Sequence, residues 1–473
     1  MVDPRAFGTL GPRFKSALSH QIVSTMRKIL ILILIFTQNT AFGISEFTIS
    51  NVERPHGAVL FIVDGLGSSY FYPELKPFSL DGNKLPKAFA PNLTFGSRVY
   101  LITHHPRTGK AHSIIVTGYS GADQEIVGYP DATIFDITRK HGYVNLAVMQ
   151  QGDFVNMRKE QDIIMFAYNN SIYKPNISIQ INRYDGINRY DDIYEVMYKW
   201  KLKLQDYLNN TKGVERYAAY NKWGIDTAHA IVKEMIEHHP SQKFLLTVNI
   251  GAIDAGGHYL GIDDYVTLIK HLDKDFFSLY KTLEKNNIAL FLTSDHGMSF
   301  SSMNAKRGGH SSKKYSYRNE SLRIPLVILS PNTKPGVVKA EYEQEDIAPT
   351  LLSILDLPNH LQYADGEIIK VKNYATLFVS TYPKSHVSLW KEDVKIAEAS
   401  DSELIYAGIP LNTTYTIKVF SSGGLQEKAV FLDTDKQLYF KNGKVSRKRE
   451  IIAVFLIIVV IITGLMIIKR IED

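Results

Sequence analysis

HGAVLFIVDGLG, residues 56–67, is an apolar run that ends in a carboxylate and a glycine turn. FLLTVNIGAID (244–254), IALFLTSDHG (288–297) and IPLVILSP (324–331) have the same form. Near-continuous apolar strands bounded by Gly or Pro read as parallel strands covered on both faces. Between them, 223–238 (WGIDTAHAIVKEMIEH) and 264–285 carry apolar residues at helical spacing. Alternating strands and helices predict an α/β fold with a mostly parallel, doubly wound sheet. In such sheets the working residues stand just past the carboxyl ends of strands. Asp64, Asp254, Asp295 and His296 occupy that position on three different runs.

These residues belong to a longer series: Asp64, Thr108, Asp254, His258, Asp295, His296 and His310. They lie in IVDGLG, PRTGKAH, IDAGGHYLG, TSDHGM and GGHSS. Carboxylates and neutral imidazoles are what a pair of zinc-like cations needs, and a Thr hydroxyl beside them can become a nucleophile. In Asp254-Ala-Gly-Gly-His258 the glycines let the backbone turn so that both side chains face one ion. Singly, each motif has a plain alternative. Asp64 could cap a helix, His310 could be a surface histidine, and D-x-x-x-H is common. Together they form the ligand list of a two-metal phosphoryl-transfer site.

The series resembles the alkaline phosphatase superfamily, and most nearly the type I phosphodiesterases and nucleotide pyrophosphatases, over about 56–358. The resemblance implies that Asp254, His258 and His310 hold one metal ion, with zinc expected. Asp64, Asp295 and His296 would hold the other, with Thr108 beside it. In that family the nucleophile stands in a string like T-F-P-N-H shortly before V-T-G. Here Arg107-Thr108-Gly109-Lys110-Ala111-His112 precedes Val116-Thr117-Gly118, which puts Thr108 on the nucleophile. Ser113 and Thr117 are rivals whose plain reading is helix packing. Thr108 would also open a helix, where free N–H groups favour phosphate.

The chain departs from the family at two points. Lys110-Ala111 replaces the family's Pro-Asn, so a cation near the phosphate would favour a more anionic ester. Lys110 therefore joins Thr108 as a candidate catalytic residue, and His112 is a candidate support for it. The interval from His296 to His310 is also short, which removes a substrate-facing insertion and weakens the case for nucleotides. Sulfatases share the fold but need a modified Cys or Ser within C/S-x-P-x-R. The chain has no Cys, and no such string stands near 108, which argues against sulfate esters.

The remaining sequence says where such an enzyme would work. The chain has 473 residues, 45% hydrophobic and 22% charged, room for one large domain and a small one. The net charge of +6 is spread thinly, with no nucleic-acid-binding surface expected. Residues 26–43 (MRKILILILIFTQNTAFG) have the layout of a secretory signal peptide. Residues 451–468 (IIAVFLIIVVIITGLMII) are long and apolar enough for a transmembrane helix. Lys441, Lys444, Arg447, Lys448 and Arg449 precede that helix and only Lys469 and Arg470 follow it. That bias alone would keep the preceding side cytoplasmic. The signal peptide argues for the reverse, an extracellular catalytic domain on a single-pass cell-membrane anchor. Six N-x-S/T sequons, at Asn92, Asn169, Asn176, Asn209, Asn319 and Asn412, fit an exported surface.

The catalytic domain is expected over 50–370, closed by a helix in 344–358 that Asp346 can cap. Short alternating segments over 374–440 predict a small C-terminal β-sandwich. Residues 155–222, rich in Tyr, Asn and Lys, read as an insertion over the active-site face. The functional expectation is a membrane-anchored, two-metal phosphoric ester hydrolase, a phosphodiesterase or phosphatase working through phospho-threonine. The alternatives are a phosphotransferase to a lipid or glycan, and a surface binding protein on a degenerate hydrolase fold.

Overall fold

The computed structural model describes residues 44–182, 191–421 and 424–441. The expected signal peptide and transmembrane helix lie outside these residues. Among the described residues, no helix is long and apolar enough to cross a membrane.

Along the catalytic part the strands are β2 (Gly57–Val63), β3 (Ser97–Ile102), β4 (Val144–Met149), β5 (Ile163–Ala167), β6 (Ile177–Ile181), β7 (Phe244–Ile250), β8 (Ile288–Thr293), β11 (Arg323–Leu329) and β12 (Gly336–Glu343). They form one nine-stranded sheet in the order β12-β3-β11-β8-β2-β7-β4-β5-β6. A two-stranded ribbon, β9 (Ser299–Phe300) with β10 (Gly308–Gly309), stands apart from it.

The sheet is covered on both faces, as the apolar runs require. Val59, Phe61 and Val63 of β2 enter one hydrophobic core, whereas Ala58, Leu60 and Ile62 enter the other. Helices α3 (Asp191–Leu208), α4 (Gly213–His238) and α6 (Ile262–Lys285) supply the first core. Helices α1 (Thr108–Thr117), α2 (Ile134–Lys140) and α7 (Ile347–Ile354) supply the second. The short helix α5 (Ala252–Tyr259) follows β7 directly.

The central strands β8, β2, β7, β4 and β5 are mutually parallel. β11 is not. It runs antiparallel to both β8 and β3, although its sequence reads like its neighbours'. Burial on both faces makes a strand apolar whatever its direction. The link from β8 to β11 has no crossover helix of βαβ length to carry the chain back to its starting end, so β11 begins where β8 stops.

Residues 155–222 belong to the sheet and its covering helices rather than forming a separate insertion, although Asn170, Ile172 and Tyr220 do reach the cavity beside Asp254 and His258. They contribute strand β5, the edge strand β6, helix α3 and the start of helix α4. The polar character of β6, with one buried residue in five, reflects its place at the margin of the sheet. Asp346 does not cap α7 with its side chain. Its carboxylate accepts from the N–H of Glu343 (2.9 Å) and of Glu367 (2.6 Å), within a short 3-10 turn that precedes the helix.

The C-terminal strands are β13 (Ala375–Lys391), β14 (Val394–Ile409), β15 (Thr413–Ser421), β16 (Gly424–Leu432) and β17 (Lys436–Lys441). They make one six-stranded sheet, in which the long hairpin β13–β14 pairs on both sides of an irregularity between Ser380 and Ser385. The other edge of β13 is shared, by β17 over Leu377–Tyr382 and by β15 over His386–Trp390. The sixth strand comes from far upstream. β1 (Ile44–Thr48) lies parallel to β14, with Ile44 opposite Glu403.

A candidate two-metal centre at the carboxyl ends of β2, β7 and β8

β8, β2 and β7 are adjacent and parallel, so their carboxyl ends open on one edge of the sheet. Asp64 follows β2, Asp295 and His296 follow β8, and Asp254 and His258 lie on α5 just past β7. His310 follows the β9–β10 ribbon, whose residue Gly308 receives His258. Thr108 is the first residue of α1. All seven residues expected from the sequence therefore meet at one place.

The turn after β2 is built for a close approach. Gly65 has φ +73°, and a Cβ there would lie 2.8 Å from the Cα and Cβ of Asp254. Only glycine allows the two ligand-bearing loops to touch. The Tyr265 hydroxyl locks the turn, donating to the Gly65 carbonyl (2.7 Å) and accepting from the Gly67 N–H (3.0 Å).

Each histidine presents the same nitrogen. His296 Nδ1 faces the Gly297 carbonyl at 3.0 Å, His258 Nδ1 the Gly308 carbonyl at 3.2 Å, and His310 Nδ1 the Pro106 carbonyl at 2.8 Å. A carbonyl only accepts, so Nδ1 carries the proton in all three, and Nε2 keeps its lone pair for a cation.

The carboxylates are arranged to match. Asp295 Oδ1 accepts from the N–H groups of His296 (2.8 Å) and Gly65 (3.1 Å), leaving Oδ2 free. Both oxygens of Asp64, Oδ1 of Asp254 and Oδ2 of Asp295 are buried without a hydrogen-bond partner. Buried, unpaired carboxylate oxygens are costly unless a cation meets them.

The spacing fits such a cation. Around Asp254 the edges are His258 Nε2 to Asp254 Oδ1 3.4 Å, His310 Nε2 to Asp254 Oδ1 3.6 Å and His258 Nε2 to His310 Nε2 3.1 Å. Around His296, its Nε2 is 3.5 Å from Asp64 Oδ1, 3.3 Å from Asp295 Oδ2 and 3.2 Å from Thr108 Oγ1. Donors about 2.0–2.1 Å from a tetrahedral zinc stand roughly 3.3–3.4 Å apart, so these edges have the length that coordination of a small divalent cation would need. His296 lies between the shells, also within 4.8 Å of Asp254 and His310, and its ring stacks on that of His310 at 3.6 Å.

Protonation follows the crowding. Burial, then the charges of Asp295 and Asp254, hold the Asp64 carboxyl well above the usual carboxylate range. Gln151 lies close enough to ease that charge without closing a hydrogen bond of normal geometry. Burial pushes Asp254 up too, but His258, His296 and His310 outweigh it and bring it below its ordinary value. Asp254 raises His258 in turn, whereas burial and then His296 push His310 down to about 4.

Thr108 opens α1 with its side chain toward His296. The first hydrogen bond into the helix is Ala111 N–H to the Arg107 carbonyl (2.9 Å), so the N–H groups of Gly109 and Lys110 have no partner within the helix. The rivals are spent elsewhere. Ser113 Oγ donates to the Gly109 carbonyl (2.9 Å) and Thr117 Oγ1 to the Ser113 carbonyl (2.7 Å). Lys110 stands half-buried on the first turn and makes no hydrogen bond or ion pair among the described residues.

His112 is buried one turn below Thr108, stacked on Phe154 at 4.1 Å. Its Nδ1 meets the Thr108 carbonyl at 2.9 Å and its Nε2 meets Asn249 Nδ2 at 3.2 Å. The amide donates, so His112 is neutral, with its proton on Nδ1 holding the backbone of Thr108. Burial lowers its pKa to the same end.

Other supporting residues had no motif to betray them. Gln344 donates to the carbonyls of Asp295 (2.9 Å) and Ser294 (3.2 Å). Ser294 Oγ accepts from the Leu66 N–H (3.0 Å) and donates to the His296 carbonyl (2.6 Å). Lone amides and hydroxyls leave no spacing pattern to read.

The family model that matches this chain is Sulfatase, over residues 59–357. A 2,3-bisphosphoglycerate-independent phosphoglycerate mutase from Ehrlichia canis (strain Jake) is 29% identical over 142 residues, 30% of this chain and 27% of that one. The chain thus spans about a quarter of the curated relative it matches. Among solved structures, wild-type alkaline phosphatase PafA is 13% identical, with 68% of this chain and 99% of that chain covered at a TM-score of 0.47. Phosphonate monoester hydrolase SpPMH from Silicibacter pomeroyi is 14% identical, with 66% and 75% covered at a TM-score of 0.41.

Proposed function

The chain belongs to the sulfatase family of the alkaline phosphatase superfamily, and from that premise we propose a phosphoric ester hydrolase that holds two divalent cations and works through Thr108. The superfamily acts on sulfate and phosphate esters and uses divalent metal ions. Phosphate is favoured here because the chain has no Cys and a Thr stands at the helix start.

The observation that carries the reading is the matched presentation of donors. Three histidines give up Nδ1–H to main-chain carbonyls and turn Nε2 toward unpaired carboxylate oxygens, with Thr108 Oγ1 at 3.2 Å from one of them. Asp254, His258 and His310 would hold one cation, and Asp64, Asp295 and His296 the other. When bound, the cations supply Lewis acidity at the Thr108 hydroxyl, the phosphoryl oxygens and the attacking water. The Thr108 Oγ1–P bond forms as the ester oxygen departs, and the hydroxyl proton ends on the released alcohol. Water then breaks the phospho-threonine and restores the hydroxyl. The free N–H groups of Gly109 and Lys110 face the phosphoryl oxygens, with the ammonium of Lys110 beside them. His112 keeps the Thr108 backbone in place.

The purified protein with zinc is assayed on p-nitrophenyl phosphate and bis-p-nitrophenyl phosphate, alongside Thr108→Ala. Zinc-dependent turnover is expected, and the variant should lose about a thousandfold or more while still binding zinc. Full activity in the variant would remove Thr108 from the chemistry. A chain that neither binds zinc nor turns over ester would be a binding module instead.

A second reading, phosphotransfer to an alcohol, draws on the cavity beside Asp254 and His258, which leaves room for an acceptor. Added alcohol that yields a new ester at the expense of free phosphate would establish it. Export and membrane anchoring are part of the proposal on the strength of segments 26–43 and 451–468. Protease protection of the chain in intact cells tests them.

A further inference from the structure

We propose that the 301–318 loop is a cationic rim that selects esters whose alcohol part carries anionic groups of its own. The inference rests on the hydrolase reading above and names the substrate class of that same site.

Residues 301–318 carry Lys306, Arg307, Lys313, Lys314 and Arg318 and no acid. That is a local excess of five in a chain whose net charge is +6. The nearest acids along the chain are engaged elsewhere. Asp295 belongs to the metal centre, and Glu320 is buried and accepts from the Phe78 N–H (2.9 Å). All five cations are exposed, and none makes a side-chain hydrogen bond or ion pair among the described residues. Lys314 has an aromatic neighbour, its Nζ 5.1 Å from the centre of the Tyr315 ring. Other surface cations of this chain do pair, Lys140 with Asp131, Arg98 with Glu74 and Lys370 with Asp433. Unpaired like charges repel one another, so the cluster contributes nothing to the fold.

Folding sets this loop at the metal centre. His310 stands in its middle, with Nδ1 on the Pro106 carbonyl and Nε2 beside Asp254 and His258. At roughly 3.3–3.6 Å per residue, the Cα atoms of Arg307 and Lys313 lie within about 11 Å of that of His310, and those of Lys306 and Lys314 within about 14 Å. The backbone between them is pinned. The Ala305 carbonyl accepts from the Ile262 N–H (3.2 Å), and the Arg318 N–H donates to the Tyr315 carbonyl (3.0 Å). The Tyr315 ring packs on Gly309, where a Cβ would stand 2.5 Å from it. Arg107, exposed and likewise unpaired, adds a sixth charge between Pro106 and Thr108. The centre itself is open, with the His258 side chain 31% exposed.

The reacting phosphoryl group does not need these charges. The two donor sets, the free N–H groups of α1 and the Lys110 ammonium already serve it. The five loop cations are solvated side chains outside those sets. Charges of that kind act through their field, over a screening length of about 8–10 Å at ordinary ionic strength. They speed the encounter with an oppositely charged ligand and make it salt-dependent, without needing one fixed geometry. They therefore respond to charge on the part of the substrate that extends away from the reacting phosphorus. A neutral alcohol gains nothing further from them, whereas one that bears another phosphate does.

The test uses the full chain with zinc and compares glucose 1,6-bisphosphate with glucose 1-phosphate. If p-nitrophenyl diesters are the better reference, a thymidine dinucleotide is compared with and without its terminal phosphate. At about 0.01 M ionic strength, where the screening length is about 30 Å, the more charged ester should lead in kcat/KM by at least about tenfold. At about 1 M that lead should shrink to about twofold. The triple variant Lys313→Gln, Lys314→Gln, Arg318→Gln should bring the low-salt ratio to within about threefold of one, with kcat on p-nitrophenyl phosphate changed by less than about twofold. All three positions are exposed, so the core is untouched. Lys199→Gln, Lys233→Gln, Lys285→Gln takes as much charge from exposed positions on α3, α4 and α6 and should leave the ratio as it was. Equal rates on the two esters, a ratio indifferent to salt, an unchanged ratio in the loop variant, or an equal fall in the helix variant would overturn the proposal. So would adsorption to phosphatidylserine vesicles that the loop variant abolishes while the ester ratio stays, which would assign the rim to a membrane surface. No turnover of p-nitrophenyl esters would end the hydrolase reading, a separate failure. Calorimetric binding of the same ester pair to the zinc-loaded chain would then still decide the charge preference.

Discussion

Two clusters of buried charge lie in this chain, and they are resolved in opposite ways. At the carboxyl ends of β2, β7 and β8, Asp64, Asp254 and Asp295 bring three carboxylates together and leave oxygens of each unpaired. Where the catalytic sheet meets the C-terminal sheet, Asp356 and Asp435 are equally enclosed, but they have Lys372 between them. Its Nζ donates to Asp356 Oδ1 (2.6 Å), Asp435 Oδ2 (3.0 Å), Thr376 Oγ1 (3.0 Å) and the Ser353 carbonyl (3.0 Å). Tyr374 and Arg54 complete Asp356, at 2.7 and 3.1 Å, and Ser353 completes Asp435 at 2.7 Å. The second cluster carries its own cation. The first has donors for a cation that the chain does not supply, which is the mark of a binding site rather than a structural weld.

The sharpest way to break this comparison is to remove the internal cation. Lys372→Met leaves Asp356 and Asp435 facing each other in the same enclosure, with Arg54 the remaining positive partner. A loss of about 3–5 kcal/mol in unfolding free energy is expected, measured by denaturant titration. The deficit should narrow as pH falls and the stranded carboxylates take up protons. A variant as stable as the parent would mean that the cluster is wet and does not hold the two sheets together.

The opposite sign is expected at the metal centre. Asp64→Asn removes a carboxyl that burial first, and the charges of Asp295 and Asp254 second, hold well above its ordinary value. In chelator the variant should be more stable than the parent, by about 1.4 kcal/mol for each pKa unit relieved. With zinc at a hundredfold excess over its dissociation constant, the parent should gain about 2.7 kcal/mol, and the variant should lose most of that gain. Thermal unfolding with and without zinc reads both effects. Destabilisation of the metal-free variant would show that Asp64 is an ordinary structural carboxylate, and the contrast with Lys372 would collapse.

The two clusters also differ in how far the sequence discloses them. The clustering of the candidate metal ligands is legible because they sit in short strings at the ends of recognisable apolar strands. Strand ends come together by topology, so seven scattered residues could be placed at once. The Lys372 cluster joins Arg54, Asp356, Lys372 and Asp435, none in a motif and each unremarkable alone. β1 escaped for a similar reason. Ile44–Thr48 is five residues with no buried member, and its pairing with β14 depends on a partner more than 350 residues away. The direction of β11 was hidden because an apolar run records burial and not orientation.

The smallest effect concerns two carboxylates two residues apart in a single turn, Asp433 and Asp435. Asp433 lies on the surface and is held at about 2 by Lys370 at 2.6 Å and Lys436 at 3.1 Å. Its folded value is thus below the ordinary 3.8, so its contribution to stability is present above that value and is lost as pH falls toward about 2. The side chain is 27% exposed, and solvent screening limits the contribution to about 0.2–1 kcal/mol. Asp433→Asn should cost that much at pH 7, cost nothing near pH 2, and cost little at 1 M salt, where the screening length is about 3 Å. Asp435, enclosed with Lys372, should keep most of its effect in the same salt. Were Asp433 to resist salt as Asp435 does, burial would not be what separates a weld from a surface pair, and the inference that unpaired buried oxygens await a cation would lose its control.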